Sequence, residues 1–378
     1  MPKILDGIRI LDLTHYWFGP FCTMLLGDMG AEVIKIEPPW GEMNRFFPPL
    51  VNGASPYFLY LNRSKKGMTL NLKHQSGVKV FKDLVRISDV LVQSYSPGAM
   101  DRLGLGYEEL RKINPKLIYA SLSGFGQTGP YASRLSFDIV AQAMCGIMSL
   151  TGERYDPKGP PIHTEEAIGD LIPALFADIG ILAALYARKT TGTGQMIDVA
   201  QVDTMIAMIP STVLHSLTGE KPVDTYRKYF TGIYGMFESA DGYVVIGAPM
   251  GEILERLARV LAVEKIDNRD MVRDWLKARP TKEIVERLVE ARVPVAPVLG
   301  VDQVFEDPHI IARGMVALLE HPQSGKTKMP NFPIKFSETT VSPNIPAPML
   351  GQHTEEILTR LLGYSKEDVE RLRHEGAL

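Results

Sequence analysis

A lone carboxylate, Asp170, is the side chain in this sequence whose setting most strongly suggests chemistry. It follows a glycine and precedes a nearly all-apolar segment, residues 171–186, in which Asp178 is the one charged residue. Such a segment predicts a helix buried inside a large protein. Asp170 would then lie at the helix N-terminus, where free backbone N–H groups and the helix dipole favour the ionised form. An ionised carboxylate can attack an acyl group, although aspartate is also a preferred helix cap.

Composition and charge bound the class of protein. The chain has 378 residues, 45% of them hydrophobic and 22% charged, which predicts two domains, or one large domain with an insertion. Its formal net charge of −3 gives no general attraction to nucleic acid or to an anionic membrane, so we expect neither as a partner. Residues 171–186 include a proline and an aspartate and fall short of a ~20-residue span, which favours a core helix over a membrane helix.

The cysteines and the first residues bear on location and metal content. Cys22 and Cys145 are the only cysteines, lie far apart, and have no Cys/His cluster around them. They predict neither a disulfide framework nor a metal site, and they fit a reducing cytoplasm. The first residues lack the apolar region of a signal peptide, so we expect a cytoplasmic protein.

Strand-like and helix-like segments alternate through the first third of the chain. Strands are predicted at 8–13, 32–36, 68–72, 89–92 and 117–122, and helices at 21–29 and 77–87. This alternation predicts a parallel, doubly wound sheet. The glycines of residues 124–129 match GxGxxG, but residues 130–134 separate them from the next apolar run. Because the dinucleotide fingerprint needs these glycines to open a helix directly, a nicotinamide cofactor is disfavoured.

The pattern changes in the second half of the chain. A strand at 196–199 and a helix at 201–217 are followed by short antiparallel-looking strands at 235–239 and 242–246, with helices at 252–261 and 281–290. These features predict a small α+β domain. The predicted organisation is a large domain from 1–200 and 330–378, a small domain at 225–315, and linkers at 201–224 and 316–329.

A series of motifs in fixed order resembles the class III CoA-transferases, the carnitine and formyl-CoA:oxalate type. These motifs are Leu11-Asp-Leu-Thr14, Gly19-Pro-Phe-Cys-Thr23, residues 30–39, Asn62-Arg-Ser-Lys-Lys66, Pro97 to Gly104, Ser123-Gly-Phe-Gly126, Gly192 to Gln195 and Leu350-Gly-Gln-His-Thr354. The resemblance covers essentially the whole chain. It implies an α/β fold with a Rossmann-like, doubly wound large domain built from the N- and C-terminal segments, a smaller inserted α+β domain, and an interlocked homodimer.

The resemblance also implies a chemistry for Asp170. The family's catalytic aspartate falls on this residue, which would attack an acyl-CoA thioester and then become an aspartyl-CoA thioester from which CoA passes to a second acid. The implied partners are an acyl-CoA and a free carboxylic acid. Coenzyme A would be a co-substrate, and no prosthetic group or metal is implied.

The family positions carry over to particular residues of this sequence. Those implied to bind CoA are Trp17, Phe18, Leu70, Asn71, Leu72, Lys73, Ser94, Tyr95, Ser96, Arg102, Arg134 and Phe137. Gly232 and Gly235 are implied for a loop that covers the carboxylate and stabilises an oxyanion. His15 and Asp138 are possible supporting residues by hydrogen bonding.

Three other functions remain open at this point. The α-methylacyl-CoA racemases have a similar overall sequence but exchange a proton with a His/Asp pair, and this chain has Phe137 before Asp138 where that histidine is expected. An isomerase that moves CoA within one diacid would use the same intermediates. An inactive CoA-binding protein is the third alternative, against which an intact Asp170 argues.

Overall fold

The protein forms two compact units. The structure, a computed structural model, describes residues 3–229 and 232–378, with the backbone alone at 226–229. The first unit comprises Met1–Ile209 and Gly314–Leu378, and the second comprises Pro210–Arg313. A chain that leaves and re-enters the first unit in this way carries the second unit as an insertion.

The strands and helices follow one another along the chain. The strands are β1 (Arg9–Leu13), β2 (Glu32–Glu37), β3 (Lys65–Thr69), β4 (Val90–Gln93), β5 (Ile118–Ser123), β6 (Met196–Ala200), β7 (Ile233–Glu238), β8 (Tyr243–Ala248), β9 (Val295–Pro297), β10 (Val316–His321) and β11 (Gly325–Pro330). The helices of the first unit before the insertion are α1 (Phe18–Asp28), α2 (Pro56–Leu61), α3 (Gln75–Arg86), α4 (Ala99–Arg102), α5 (Tyr107–Ile113), α6 (Asp138–Met144), α7 (Ile147–Tyr155), α8 (Ile168–Thr191) and α9 (Gln201–Ala207), with a 3₁₀ helix at Met43–Phe46. The remaining helices are α10 (Ser211–Thr218), α11 (Pro222–Tyr229), α12 (Gly251–Val260), α13 (Arg269–Lys277), α14 (Thr281–Glu290), α15 (Val301–Val304), α16 (Pro308–Ala312), α17 (Thr354–Glu356) and α18 (Lys366–His374), with a π-helix at Ile357–Leu361.

The first unit is built on one parallel sheet. Its six strands lie in the order β3-β2-β1-β4-β5-β6, and every pairing is parallel. The chain moves outward on one side from β1 to β3 and then returns to place β4 on the other side of β1. This Rossmann-like order confirms the predicted doubly wound fold, and it puts a crevice at the carboxyl ends of β1 and β4, where the direction of winding changes.

Helix α8 is the central helix of this unit and packs on α1, β5 and β6. Small buried residues, Ala174, Ala177 and Ala184, lie on its packed face. It ends at Gly192, whose φ of 70° is the left-handed conformation that glycine adopts readily. Because α8 leads back to the start of β6, it runs opposite to the strands, and its N-terminus therefore lies at their carboxyl ends.

The sequence predicts a helix buried inside a large protein, but one face of α8 is exposed on this chain. Leu175, Ile179 and Tyr186 are 46%, 62% and 75% exposed and follow one side of the helix. By length and composition alone α8 could cross a membrane, but half of its most apolar stretch is buried inside the unit, as in a core helix. One face packs on the sheet, and the other presents an apolar stripe.

Buried ion pairs tie the first three strands together. Lys65 on β3 places its Nζ 2.9 Å from Asp12 Oδ2 on β1, and both side chains are fully buried. Burial by itself would raise the pKa of Asp12, but the ammonium groups of Lys65 and Lys35 outweigh it and hold that pKa well below its usual range. Burial lowers the pKa of Lys65 to about 8. The pair is therefore ionised at neutral pH inside the core.

Two element predictions in the first unit need correction. The strand expected at 68–72 is β3, Lys65–Thr69, because Lys65 is buried against Asp12 and Lys66 pairs with Glu32 at the edge of the core. The helix expected from residue 21 begins at Phe18, with Pro20 in its first turn, where a missing N–H costs nothing. A single helix expected at 201–217 is two helices, α9 and α10, which the structure separates at Pro210.

The segments expected as linkers contain regular structure. Residues 201–224 include α9, α10 and the start of α11, and residues 316–329 lie in the antiparallel hairpin of β10 and β11. The hairpin belongs to the first unit. These segments are therefore parts of helices and strands and not extended connections.

The second unit is a small α+β domain, as predicted. Its sheet has the order β7-β8-β9, with antiparallel pairing throughout. Helix α13 is an element that the sequence analysis missed, because only Val272 and Leu276 of its nine residues are buried. The core of this unit is formed by Ile233, Phe237, Val244, Ile246, Leu257, Val272, Leu276, Ile284 and Leu288.

Candidate active site

The predicted site residues cluster because most of them directly follow a strand of the large sheet. His15 to Phe18 follow β1, Leu70 to Lys73 follow β3, and Ser94 to Ser96 follow β4. Parallel strands end at the same edge of a sheet, and ligands of open α/β sheets bind at that edge. Topology therefore gathers residues that lie as much as about 80 positions apart in the chain, as the hydrogen bond from His15 N to Ser94 Oγ (3.2 Å) shows.

Asp170 lines a cavity of about 210 Å³ in this crevice. The predicted residues that share the cavity with it are His15, Phe18, Ser94, Tyr95, Ser96, Arg134 and Phe137. Among the described residues that line it, Asp170 is the only carboxylate. The site thus has one candidate carboxylate nucleophile.

Asp170 lies in the first turn of α8, although it does not cap the helix. The helix begins at Ile168 with Ala167 as its N-cap, and the side chain of Asp170 accepts a hydrogen bond from Gln201 Nε2. The Asp170 side chain is nearly buried, and burial raises its pKa to about 7, with a further increase from the nearby Asp138 and a decrease from Gln201. The net effect at Asp170 is therefore opposite to the expected stabilisation of the ionised form, because burial and Asp138 raise the pKa more than Gln201 lowers it.

Asp138 joins the start of α8 to α6. Its Oδ1 accepts a hydrogen bond from Gly169 N (2.6 Å), and its Oδ2 accepts one from Gln142 Nε2 (2.9 Å). Asp138 therefore holds the residue directly before Asp170 and adds negative charge beside it. The supporting role of Asp138 in the reaction stays a prediction.

A second cavity, of about 390 Å³, adjoins the first. Leu70, Asn71, Leu72 and Lys73 line it, together with apolar side chains that include Trp40, Met43 and Phe46. His15, Tyr16 and Tyr95 line both cavities. The two cavities thus form neighbouring parts of one crevice, with these three residues between them.

Two predicted CoA-binding residues line neither cavity in the described part of the chain. Trp17 packs its ring against Tyr57, with 5.1 Å between centroids. Arg102 is exposed on the short helix α4. Their proposed contacts with CoA remain predictions.

Arg134 is the one lysine or arginine among the described residues that line the Asp170 cavity. Its guanidinium lies 3.5 Å above the ring of Tyr131, which restricts its orientation. The side chain is otherwise exposed and able to meet an anionic group of a ligand.

Three residues of the site escaped the sequence analysis. Gln201 bonds Asp170, and the signal that could have identified it is its position directly after β6. Tyr16 has a φ of 62°, which is strained for a tyrosine, and it packs edge-on against Phe137. Glu42 lies beneath His15 in a loop, where no periodic pattern marks it.

The two glycines predicted to cover the carboxylate lie in the second unit. Gly232 is buried, and a Cβ at this position would lie 2.0 Å from Pro249 O. Gly235 lies inside strand β7 and pairs with Ile246, so it is part of a strand and not of a loop. Phe230 and Thr231, which belong to the same predicted loop, lie outside the described residues.

Fold and site together define an α/β enzyme with a buried carboxylate at the switch point of a parallel sheet. No group of three or more His, Cys, Asp or Glu side chains that could hold a metal ion occurs within residues 3–229 and 232–378. The chain belongs to CoA-transferase family III, whose family model matches residues 5–354. It is a class III CoA-transferase.

Named relatives cover the chain along its length. It is 37% identical to the succinyl-CoA:glutarate CoA-transferase of Mus musculus, over 100% of this chain and 90% of that protein. It is 38% identical to the succinyl-CoA:mesaconate CoA-transferase of Haloarcula marismortui, over 94% of this chain and 95% of that protein. The crystal structure of a CAIB/BAIF family protein from Brucella suis matches with a TM-score of 0.85 and 30% identity, over 96% of this chain and 100% of that one.

Proposed function

We propose that this enzyme moves CoA between two carboxylic acids through an aspartyl-CoA thioester on Asp170. The observation that carries the proposal is the single carboxylate in the cavity at the switch point, where a thioester can reach it from the crevice. A pKa of about 7 means that a large fraction of Asp170 is ionised at neutral pH while its desolvation keeps it reactive.

The proposed reaction has two symmetrical halves. An Asp170 oxygen attacks the thioester carbonyl carbon of the donor, the carbon–sulfur bond breaks, and a mixed anhydride and free CoA form. The CoA sulfur then attacks the aspartyl carbonyl carbon, which releases the donor acid and leaves the aspartyl-CoA thioester. The second acid reverses these steps, so that one thioester replaces another without ATP.

The crevice supports this proposal by its dimensions and lining. The larger cavity has apolar and aromatic walls for the nucleotide end of CoA, with Lys73 among its lining residues as a partner for phosphate. The smaller cavity holds Asp170 and would receive the acyl group. The residues shared by both cavities would then flank the pantetheine arm.

We also propose that the acids are dicarboxylic and that succinyl-CoA is a donor. Two of the relatives described above are named for succinyl-CoA and for a dicarboxylic acceptor. Arg134, in the same cavity as Asp170, offers a cation for the distal carboxylate of such an acyl group. Phe137 has no proton to exchange at the position where a racemase needs a base, so no observation favours the racemase.

Trapping the covalent enzyme tests the function. The purified enzyme is incubated with succinyl-CoA and hydroxylamine, and the hydroxamate is located by mass spectrometry of peptides. We expect modification at Asp170, with none in Asp170→Asn, and loss of transfer to glutarate in that variant. Modification elsewhere, or full transfer activity in Asp170→Asn, would reject the proposal.

We further propose that the enzyme acts as a cytoplasmic homodimer. The exposed apolar stripe of Leu175, Ile179 and Tyr186 on α8 supports association, because contiguous apolar surface of this kind marks an interface. The covering role of the Gly232 and Gly235 segment is part of the same proposal. Sedimentation measures whether the enzyme is a dimer. Replacement of Gly232 tests whether its segment covers the carboxylate of Asp170.

A further inference from the structure

We propose that His15 is a catalytic acid and base for the sulfur of CoA, oriented by the buried carboxylate of Glu42. This inference rests on the proposed covalent route through Asp170 and adds a proton-transfer residue to it. The inference is based on the position of the His15 ring, on the contacts that fix the ring, and on the ring nitrogen Nε2, which those contacts leave without a partner among the described residues.

Contacts from separate segments fix the ring of His15. Its Nδ1 lies 3.3 Å from Glu42 Oε2, and its backbone N donates to Ser94 Oγ at 3.2 Å. The ring meets Tyr95 edge-on, with 5.5 Å between centroids. With its backbone held by Ser94 and its ring by Glu42 and Tyr95, His15 loses little further freedom when a ligand binds.

Glu42 sets the tautomer of His15. Its side chain is fully buried, and its Oε1 lies 3.0 Å from Lys35 Nζ, which is also fully buried. Burial would raise the pKa of Glu42, but Lys35 and His15 outweigh this and lower it, so the group is an anion at neutral pH. A carboxylate only accepts hydrogen bonds, so Nδ1 carries the hydrogen that points to Glu42.

The other ring nitrogen is therefore the one that gains or loses a proton. In the part of the chain that the structure describes, Nε2 of His15 has no hydrogen-bond partner, and the side chain is 25% exposed. A histidine that only stabilises the fold would have both nitrogens satisfied and would be sealed from the crevice. The free nitrogen points to a ligand as its partner.

The position of His15 matches the path of the CoA sulfur. It lines both the cavity of Asp170 and the larger cavity next to it. A CoA thioester whose nucleotide end lies in the larger cavity and whose acyl carbon reaches Asp170 must pass His15. The charged and titratable groups that face this position are Asp170, Arg134, Glu42, Lys35, Glu37, Lys73, Tyr16 and Tyr95.

The proton transfers balance in each half of the reaction. When the carbon–sulfur bond breaks, CoA leaves as a thiolate, and Nε2–H of protonated His15 transfers its proton to sulfur. In the next step neutral His15 takes that proton back as the sulfur attacks the aspartyl carbonyl carbon and the free acid leaves as a carboxylate. The thiol form is the stable one near neutral pH, since a free thiol has a pKa of ~8.5. The proton thus rests on the CoA sulfur between the two attacks, and His15 carries it before the first attack and again after the second.

Substitution of His15 tests the proposal. His15→Gln keeps a hydrogen-bonding side chain of similar size but cannot transfer the proton, and we expect kcat to fall about 100-fold while the dissociation constant of CoA stays within about threefold. In His15→Ala, added imidazole should restore activity in proportion to its concentration. His374→Gln, on the exposed face of α18, is the matched control and should retain the parent kcat.

Three results would overturn the proposal. These are a His15→Gln enzyme with parent kcat, a loss of kcat that follows a loss of CoA affinity, and a His15→Ala enzyme that imidazole does not restore although its circular dichroism and CoA binding are intact. Failure of the covalent route is distinguishable, because the parent enzyme itself would then give no hydroxamate at Asp170. If the covalent route is right and only the proposed role of His15 is wrong, the His15→Gln enzyme forms that hydroxamate at the parent's rate.

Discussion

At Asp170, the need for an ionised carboxylate opposes the effect of burial on its pKa. As the proposed nucleophile it must be ionised, yet burial raises its pKa to about 7 and Asp138 adds to the increase. The hydrogen bond from Gln201 favours the anion and offsets part of this effect. The compromise leaves a poorly solvated carboxylate, and weak solvation makes an anion more reactive.

The pH dependence of the reaction follows from this raised pKa. Since Asp170 must lose its proton before the proposed attack, kcat/KM for the donor should increase as pH rises through about 7. Asp138→Asn removes the neighbouring like charge, so the midpoint should move to lower pH. The measurement is kcat/KM between pH 5 and 9, with the exposed Asp156→Asn as control. A midpoint unchanged in Asp138→Asn would contradict this account of the pKa.

Substitution of Arg134 tests whether the acyl group of the donor carries a second carboxylate. Arg134→Gln should lower kcat/KM for succinyl-CoA by about 10- to 100-fold, the effect of losing a charged hydrogen bond, and should leave acetyl-CoA nearly unaffected. Arg134→Lys keeps the charge and should lose less. Arg154→Gln, exposed at the end of α7, serves as a matched control. An equal loss for both donors would instead indicate that Arg134 binds the CoA moiety.

At the scale of elements, buried ion pairs determine how the first three strands join. Lys65 and Lys66 are neighbours on β3, but Lys65 points into the core towards Asp12, whereas Lys66 is about one-third exposed and pairs with Glu32 and Glu356. A buried ion that loses its partner stays desolvated, whereas an exposed ion regains water. The same substitution should therefore have different effects at the two positions.

Lys65→Met should lower the free energy of unfolding by about 3–5 kcal/mol, because it leaves Asp12 buried and uncompensated. Lys66→Met should change it by less than about 1 kcal/mol. Urea denaturation followed by circular dichroism at pH 7 measures both. Equal changes in the two variants would show that the Asp12–Lys65 pair does not stabilise the fold as an internal ion pair.

At the scale of the whole molecule, the apolar stripe on α8 bears on assembly. Sedimentation equilibrium of the parent enzyme should give the mass of two chains, twice 42.0 kDa. Ile179→Lys introduces a charge into the stripe and should shift the equilibrium towards the monomer, since burying an unpaired charge at an interface is costly. Lys282→Glu, which changes a highly exposed charge on α14, should keep the parent mass. A parent enzyme that sediments as a monomer would refute the dimer.

The sequence by itself determined the architecture of the large unit and its candidate nucleophile. Alternating strand and helix patterns depend on local periodicity, which a linear sequence carries in full, and they predicted the doubly wound sheet. Ordered motifs identified the family and directed attention to Asp170. Predictions failed where lysines opened a strand, as in β3, and where only two residues of a helix are buried, as in α13. In both elements the burial of a few side chains outweighs the local pattern.

Only the tertiary structure decided the electrostatics of the site. Whether Asp170 is ionised depends on desolvation and on Asp138, which the fold places beside it from another helix. His15 and Glu42 lie 27 positions apart, and no spacing rule relates them until the parallel sheet brings the ends of β1 and β2 to one edge. Local periodicity can be read along a chain, whereas a pKa and a hydrogen-bond partner depend on three-dimensional neighbours.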